Sequence, residues 1–350
     1  MVPYYLLYAY LVSVNYLKIK NKVKWKYLFI PIFILLSLRH PSMGYDLGYY
    51  RSYGYLASFE YLSSLSFENV LKIGGFQNYE FGFIIFNKIV SMILPNEQFF
   101  LTICAFLSFF PIAFLIKKYS KNYFLSIIVY LGLPSFLIMY SGLRQALAIG
   151  LTVFSFNYIF EKKLIKFIII VFIASFFHFS SILFLSAYPI YYLRLSRKIR
   201  LATVLIVPLF VLFRVPLYKM FTELIGQSPT LNFNNSFTLL IVFTAIYILM
   251  LIFTNNDHKL DGWINLFYIA CLVQSLASLN SIVLRVGYYF MPYLCIALPN
   301  LIIRRKAISI SEYRVWYLLV VICFSLFGLY SIYITDWAQA YPYSFFFQKI

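Results

Sequence analysis

In a chain that is 63% hydrophobic and 11% charged, the side chains best suited to chemistry are Arg39, Asp46, Arg51, Glu80, Arg144, His178 and Arg285. Arg39, Glu80, Arg144, His178 and Arg285 border or interrupt apolar stretches, where an ionisable group is costly and tends to mark a functional site, and Asp46 and Arg51 lie in the polar stretch after Arg39. The planar guanidinium of arginine donates paired hydrogen bonds to phosphate oxygens and stays charged at any relevant pH. Arg39, Arg144 and Arg285 come from distant segments, so together they predict an anion site, and a pyrophosphate would satisfy several of them at once. The plainer alternative is that each arginine snorkels to the membrane boundary or pairs with Asp46 or Glu80.

His178 lies in Ser175-Phe-Phe-His-Phe-Ser-Ser181 and is the only histidine within an apolar run. Its ordinary pKa suits a general base near neutral pH, and a packed, backbone-bonded imidazole is the alternative. His40 beside Arg39 is a weaker candidate, and His258 falls in a predicted cytoplasmic link. Asp46 sits in Gly44-Tyr-Asp-Leu-Gly-Tyr-Tyr50, where glycines permit tight turns and tyrosines offer flat faces for sugar rings. Those tyrosines read more simply as an interfacial aromatic belt; Asp46 does not. Glu80 opens an apolar run in Asn78-Tyr-Glu-Phe-Gly82, as a helix cap or as a carboxylate that orients an arginine.

These residues must be positioned by membrane helices. An ordinary soluble domain carries roughly 25% charged residues, so a soluble fold is excluded. Apolar runs long enough for a ~30 Å hydrocarbon layer recur along the sequence. They predict an all-α, polytopic membrane protein of about 11–12 transmembrane or membrane-dipping helices, forming one domain over residues 1–350. The net charge of +18 does not signal nucleic-acid binding. Lys and Arg gather in short links, at Lys18 to Lys26, Lys117 to Lys121 and Arg304 to Lys306, the positive-inside pattern of cytoplasmic loops. Cys104, Cys271, Cys295 and Cys323 all fall in apolar runs and read as packing residues, without disulfide or zinc spacing.

The charge pattern orients the chain. Met1 to Tyr16 reads as a retained first span with its N-terminus outside, and 27 to 38 returns to Arg39 at the outer face. An outer loop with an interfacial helix follows over 40–79. If 81 to 94 and 99 to 116 both crossed, Lys117, Lys118 and Lys121 would lie outside. The shorter run, which contains Lys88, is therefore predicted to dip and return. Spans follow at 123 to 140 and 145 to 160, then a hairpin over 165 to 192 that turns near His178. Further spans are placed at 201 to 215, 236 to 254, 262 to 279, 285 to 302 and 315 to 334, with an outer loop at 216–235 and the C-terminus outside. All the candidate residues then share the outer face. No acidic residue lies deep in a span, which argues against an ion-coupled transporter, and no Walker loop, dinucleotide fingerprint or HExxH motif is present.

The order of motifs resembles the EpsG branch of the Wzy-type polysaccharide polymerases: Arg39, Gly44-Tyr-Asp46 with Tyr49-Tyr50, Tyr79-Glu80-Phe-Gly82, Gly142-Leu-Arg144-Gln145-Ala146, Phe177-His178-Phe-Ser180, and Arg285 before Tyr288-Tyr-Phe290. The likeness runs from Tyr27 to about Asn300 and rests most on Gly-Leu-Arg-Gln-Ala followed by His-Phe-Ser. Family members usually carry Gly-x-Asp-Tyr where this chain has Gly44-Tyr-Asp46-Leu-Gly-Tyr49. The resemblance implies a bacterial cytoplasmic-membrane glycosyltransferase whose active site faces the periplasm or outside. It would transfer a growing glycan from undecaprenyl pyrophosphate to the terminal sugar of a lipid-linked repeat unit. Arg144 and Arg285, helped by Arg39, would hold the pyrophosphate, and His178 or Asp46 would be the base, with Glu80 in support. The implied partners are the undecaprenyl-pyrophosphate-linked oligosaccharide, the bilayer, and a chain-length regulator and flippase of the same pathway; no cofactor and no metal are expected. A lipid-linked oligosaccharide flippase should show two related halves, and none is found. A membrane O-acyltransferase would use a histidine such as His178 but needs no arginine trio.

Overall fold

The computed structural model describes residues 2–17, 25–48, 53–73, 79–224, 237–254, 260–279 and 281–348. Most of the first basic link, Arg51 with Tyr49 and Tyr50, Gly74 and Gly75, His258, and residues 225–236 of the second outer loop lie outside them. The described residues form helices and turns, joined by one isolated bridge between Arg39 and Phe345. The protein is an all-α membrane protein. Among the described residues three helices are long and apolar enough to cross a membrane: Glu97–Tyr119, Leu143–Phe160 and Ile310–Thr335. Most of the other expected spans are shorter helices or broken pairs.

Two ends of the bundle are defined by their side chains. Helix α1 (Val2–Leu17) is followed by α2 (Trp25–Ser37), which starts where the Trp25 ring takes the Lys117 ammonium at 4.8 Å. Lys117 and Lys118 close the long helix Glu97–Tyr119, and Lys118 Nζ donates to Asn157 Oδ1 at 2.9 Å. This is the lysine end. At the opposite, arginine end, Gln98 and Thr102 at the start of that long helix donate to the Ser37 carbonyl. Arg39 and Arg144 lie at this end as well.

The polar stretch after Arg39 was expected to hold one interfacial helix. It holds a 3-10 turn, Tyr45–Leu47, and two helices, α3 (Tyr55–Ser64) and α4 (Phe67–Lys72). Helix α5 (Phe81–Ile93) packs on both, and Lys88 Nζ caps the open carbonyls of Ser63 and Leu65 at 3.1 and 2.5 Å. A 13-residue helix spans about 20 Å, short of a ~30 Å hydrocarbon layer. It starts beside Arg144 and leads through a short link into α6 (Glu97–Tyr119) at the Ser37 contact. Both of its ends therefore lie at the arginine end.

Residues 123 to 140 do not form one span. Helix α7 (Tyr123–Leu131) stops before Leu133, which is extended ahead of Pro134, and α8 (Pro134–Leu137) starts on that proline. Proline excludes the helical conformation from the residue before it and has no N–H to continue the ladder. Helix α9 (Leu143–Phe160) returns to the lysine end, and Gly150 lets it approach the Leu107 carbonyl of α6 more closely than any side chain would. The hairpin is present: α10 (Leu164–Ser175) reaches the arginine end, the chain turns at Phe177 and His178, and it returns as a 3-10 segment, Phe179–Ser186, and α11 (Ala187–Tyr192). The Tyr192 hydroxyl then meets the Ile159 carbonyl at the lysine end.

After α12 (Arg197–Ala202) and α13 (Ile206–Leu212), the chain bends by 78° into α14 (Arg214–Leu224), so the first part of the expected outer loop is helical. Helices α15 (Thr238–Thr254) and α16 (Asp261–Leu276) follow the expected spans. The expected span 285 to 302 is two elements. Arg285 belongs to a short helix, α17 (Ser281–Gly287), and α18 (Leu294–Arg305) begins only after a 3-10 turn that contains Pro292. Helix α19 (Ile310–Tyr330) runs on into a π-helical turn, Ser331–Thr335. The C-terminal segment folds back at the arginine end, where His40 N–H donates to Ser344 O at 2.8 Å and Phe346 N–H to Leu38 O at 3.0 Å.

Arg200 sits in the basic stretch that ends the hairpin, yet it is not a solvated loop charge. Its two terminal nitrogens grip Asp261 at 2.5 and 2.8 Å, with side-chain exposures of 5% and 1%. Arg200→Ala strands a buried carboxylate and is expected to destabilise the protein by about 3–5 kcal/mol, read as an earlier thermal unfolding in detergent. Replacing both partners by leucine is expected to recover most of the loss.

Candidate active site

At the arginine end, a cavity of about 400 Å³ is lined by Asp46, Arg144 and Arg285, by Gly48 and Gly54, and by Tyr45, Tyr53, Tyr55 and Tyr79. Three distant segments of the chain thus present two cations and a carboxylate to one space. Asp46 is placed by the 3-10 turn that follows Gly44. Gly44 has φ +127° and Gly48 φ +71°, and a Cβ on either would collide with a backbone carbonyl, that of Tyr140 or Tyr53. Only glycine takes such turns without strain. The Asp46 carboxylate accepts from Ser141 Oγ at 3.0 Å, and Asp46 lines the cavity.

Arg144 lies in the first turn of α9, where the exposed N–H groups of the helix favour an anion. Its Nη1 meets Glu80 Oε2 at 2.5 Å, its Nε donates to the Tyr55 hydroxyl at 3.3 Å, and its guanidinium lies 4.6 Å from the Tyr79 ring centre. Glu80 occupies the N-cap position of α5, but its side chain does not cap that helix. Its other oxygen accepts from Phe179 N–H at 3.1 Å, so one carboxylate ties α5, α9 and the hairpin turn together. Of the two roles the sequence offers Glu80, the geometry matches the orientation of an arginine.

Arg285 reaches the cavity from α17, and among the described residues its guanidinium forms no ion pair. Its backbone carbonyl accepts from Gln145 Nε2 at 2.6 Å. The adjacent residues Arg144 and Gln145 therefore do separate work: one faces the cavity, and the other fixes the segment that carries Arg285.

His178 stands behind this wall and is not among the residues lining the cavity. Its Nδ1 is shared by the hydroxyls of Ser180 at 2.7 Å and Tyr289 at 3.3 Å. Burial in the turn lowers its pKa to about 4, and the nearby Arg144 and Arg285 charges push the same way against Glu80. This lowering favours the neutral imidazole.

Arg39 is brought elsewhere. It is fully buried, donates to the carbonyls of Leu36 at 3.2 Å and Tyr140 at 3.4 Å, and lies over the Tyr140 ring at 5.1 Å. The C-terminal segment pairs with its backbone through Phe345. The expected third member of the arginine trio therefore neither snorkels nor pairs with a carboxylate, and it does not reach the cavity. Packing by tyrosines from α1 and the tail encloses it.

Tyr45, read from the sequence as part of an aromatic belt, is half exposed and also lines the cavity with Tyr53, Tyr55 and Tyr79. Ser141 and Gln145 were not singled out for roles of their own; their adjacency to Gly142 and Arg144 was the available signal. The model of the EpsG family matches residues 22–345 of this chain. No curated protein matches it, and no solved structure does.

Proposed function

The chain belongs to the EpsG family, whose type of function is polysaccharide polymerisation, and on that premise we propose that the cavity at the arginine end is a glycosyl-transfer site. Its substrates are two lipid-linked oligosaccharides, and it faces the outer side of a bacterial cytoplasmic membrane. The observation that carries this reading is the convergence of Asp46, Arg144 and Arg285 on one cavity.

An acceptor sugar hydroxyl attacks the anomeric carbon of the donor glycan. Its oxygen forms the new glycosidic bond while the bond from that carbon to the pyrophosphate oxygen breaks. The hydroxyl proton passes to the Asp46 carboxylate, and the electron pair leaves with the polyprenyl pyrophosphate. Arg144, held by Glu80, and Arg285 stabilise the charge that develops there; fixed cations aimed at a leaving group are among the strongest catalytic devices. The tyrosines supply faces for the sugar rings.

Asp46 is the preferred base because it lines the cavity, and a base must first be within reach of its proton. His178 positions the wall through Ser180 and Tyr289. Gln145→Leu removes the hydrogen bond to the Arg285 carbonyl without touching substrate, and misplacement of a charge by about 1 Å is expected to slow polymerisation on the order of 10- to 100-fold.

The deciding experiment is the size ladder of lipid-linked and surface glycans in a host lacking this protein. Single repeat units left on the surface, with the ladder restored by the wild-type chain, support the polymerase. Loss of even single units from the surface would point to a flippase.

A further inference from the structure

Arg285 and Tyr45 border a second space as well, a groove of about 450 Å³. Its walls are Leu239 from the start of α15, Leu284 and Tyr288 from α17, and Phe327 and Tyr330 from the end of α19. Helices α15 and α19 meet at the lysine end, where the Phe253 and Trp316 rings are 5.0 Å apart. At the arginine end the groove lies between them. The outer side of α19 is apolar and exposed at Leu318, Ile322 and Leu326, so the groove sits at a lipid-facing flank. Its floor includes Ser331 and Thr335 of the π-helical turn, a distortion that recurs at functional sites. Trp337 stacks on Tyr288 at 6.3 Å beside the mouth, as interfacial aromatics do.

We infer that this groove holds the head-proximal isoprenoid units of the lipid-linked pyrophosphate donor, an inference that rests on the polymerase reading. An amphiphile whose charged junction is attacked needs an apolar path that ends at the cation receiving that charge. Arg285 stands at that junction, bordering the polar cavity and the apolar groove alike, and among the described residues it has no carboxylate partner. A water-soluble sugar pyrophosphate would need no such path. The sugar then occupies the tyrosine-lined cavity, the pyrophosphate lies at α17, and the tail leaves sideways between α15 and α19.

The test compares two donors with the same oligosaccharide, one with a long isoprenoid tail and one with about two isoprene units, using the full-length protein in nanodiscs. The wild type is expected to favour the long tail by about tenfold or more in kcat/KM, as apolar subsites discriminate. Leu284→Trp and Thr238→Trp, the latter at the exposed rim, are expected to bring that ratio toward one. A variant that is merely damaged loses activity on both donors and keeps the ratio. A wild-type ratio near one, or an unchanged ratio in both variants, overturns the groove and leaves the polymerase reading intact. In the wild type, a photoreactive isoprenoid pyrophosphate is expected to label α15, α17 or α19. Labelling elsewhere, or equal labelling by a photoreactive phospholipid in its presence, would show a different occupant. If the wild type polymerises neither donor, the underlying reading fails.

Discussion

Arg144→Ala is expected to eliminate long glycan chains while the protein remains folded in the membrane. The guanidinium is one of two cations on the cavity, and removal of one preorganised charge-stabilising donor typically costs about 10²–10³ in kcat. Some stability is lost with the ion pair to Glu80, whose side chains are 21% and 22% exposed, but Glu80 keeps its bond from Phe179 N–H, so folded protein in the membrane is the control that separates this loss from the loss of catalysis. Arg144→Lys should restore little activity, because an ammonium cannot reproduce the fork that reaches Glu80 and Tyr55 together and still faces a phosphate. Arg285→Ala is expected to give the same loss of chain length. In contrast, Arg39→Lys should act through stability, because that side chain is enclosed away from the cavity. Wild-type ladders from both Arg144→Ala and Arg285→Ala would overturn the assignment of the pyrophosphate to these residues.

Asp46→Asn is expected to reduce turnover by about 10²–10⁴, the usual contribution of a positioned base. Asparagine keeps the shape and still accepts from Ser141, so the turn after Gly44 is preserved and the loss reports on the proton. His178→Gln is expected to lower the rate far less, since glutamine retains hydrogen bonding to Ser180 or Tyr289. With the imidazole held down near 4 by burial, its neutral form persists across pH 6 to 8, so the pH–rate profile should carry no limb near the ordinary histidine value. A profile that rises through pH 6.5 and flattens in His178→Gln would transfer the role of base from Asp46 to His178.

The division between what was legible and what was not follows particular residues. The hairpin at His178 was legible because the run from 165 to 192 is too long for one span and is flanked by basic residues at both ends. That α5 does not run to the lysine end was legible from parity, since Lys117 and Lys118 must share an end with Lys26. The gathering of Asp46, Glu80, Arg144 and Arg285 at one end followed from the same charge count. Arg39 obeyed that count and still misled, because two arginines at the same end can face a cavity or a wall of tyrosines. The breaks at Pro134 and before Pro292 were marked by their prolines, yet membrane helices also tolerate proline when neighbours satisfy the backbone.

The sequence by itself determined that this is a helical membrane protein, which end of the bundle each polar residue occupies, and the family to which the chain is similar. Those properties depend on the length of apolar runs and on where charge is placed, and both quantities add up locally along the chain. Only the tertiary structure decided that Arg144 and Arg285 share a cavity with Asp46 while Arg39 does not, that Gln145 holds the segment carrying Arg285, and that Tyr45 lines that cavity. Each of these depends on contacts between residues roughly a hundred or more positions apart, such as Asp46 with Ser141 and Gln145 with Arg285. Close packing selects among such contacts by shape, and shape is not written in composition or period.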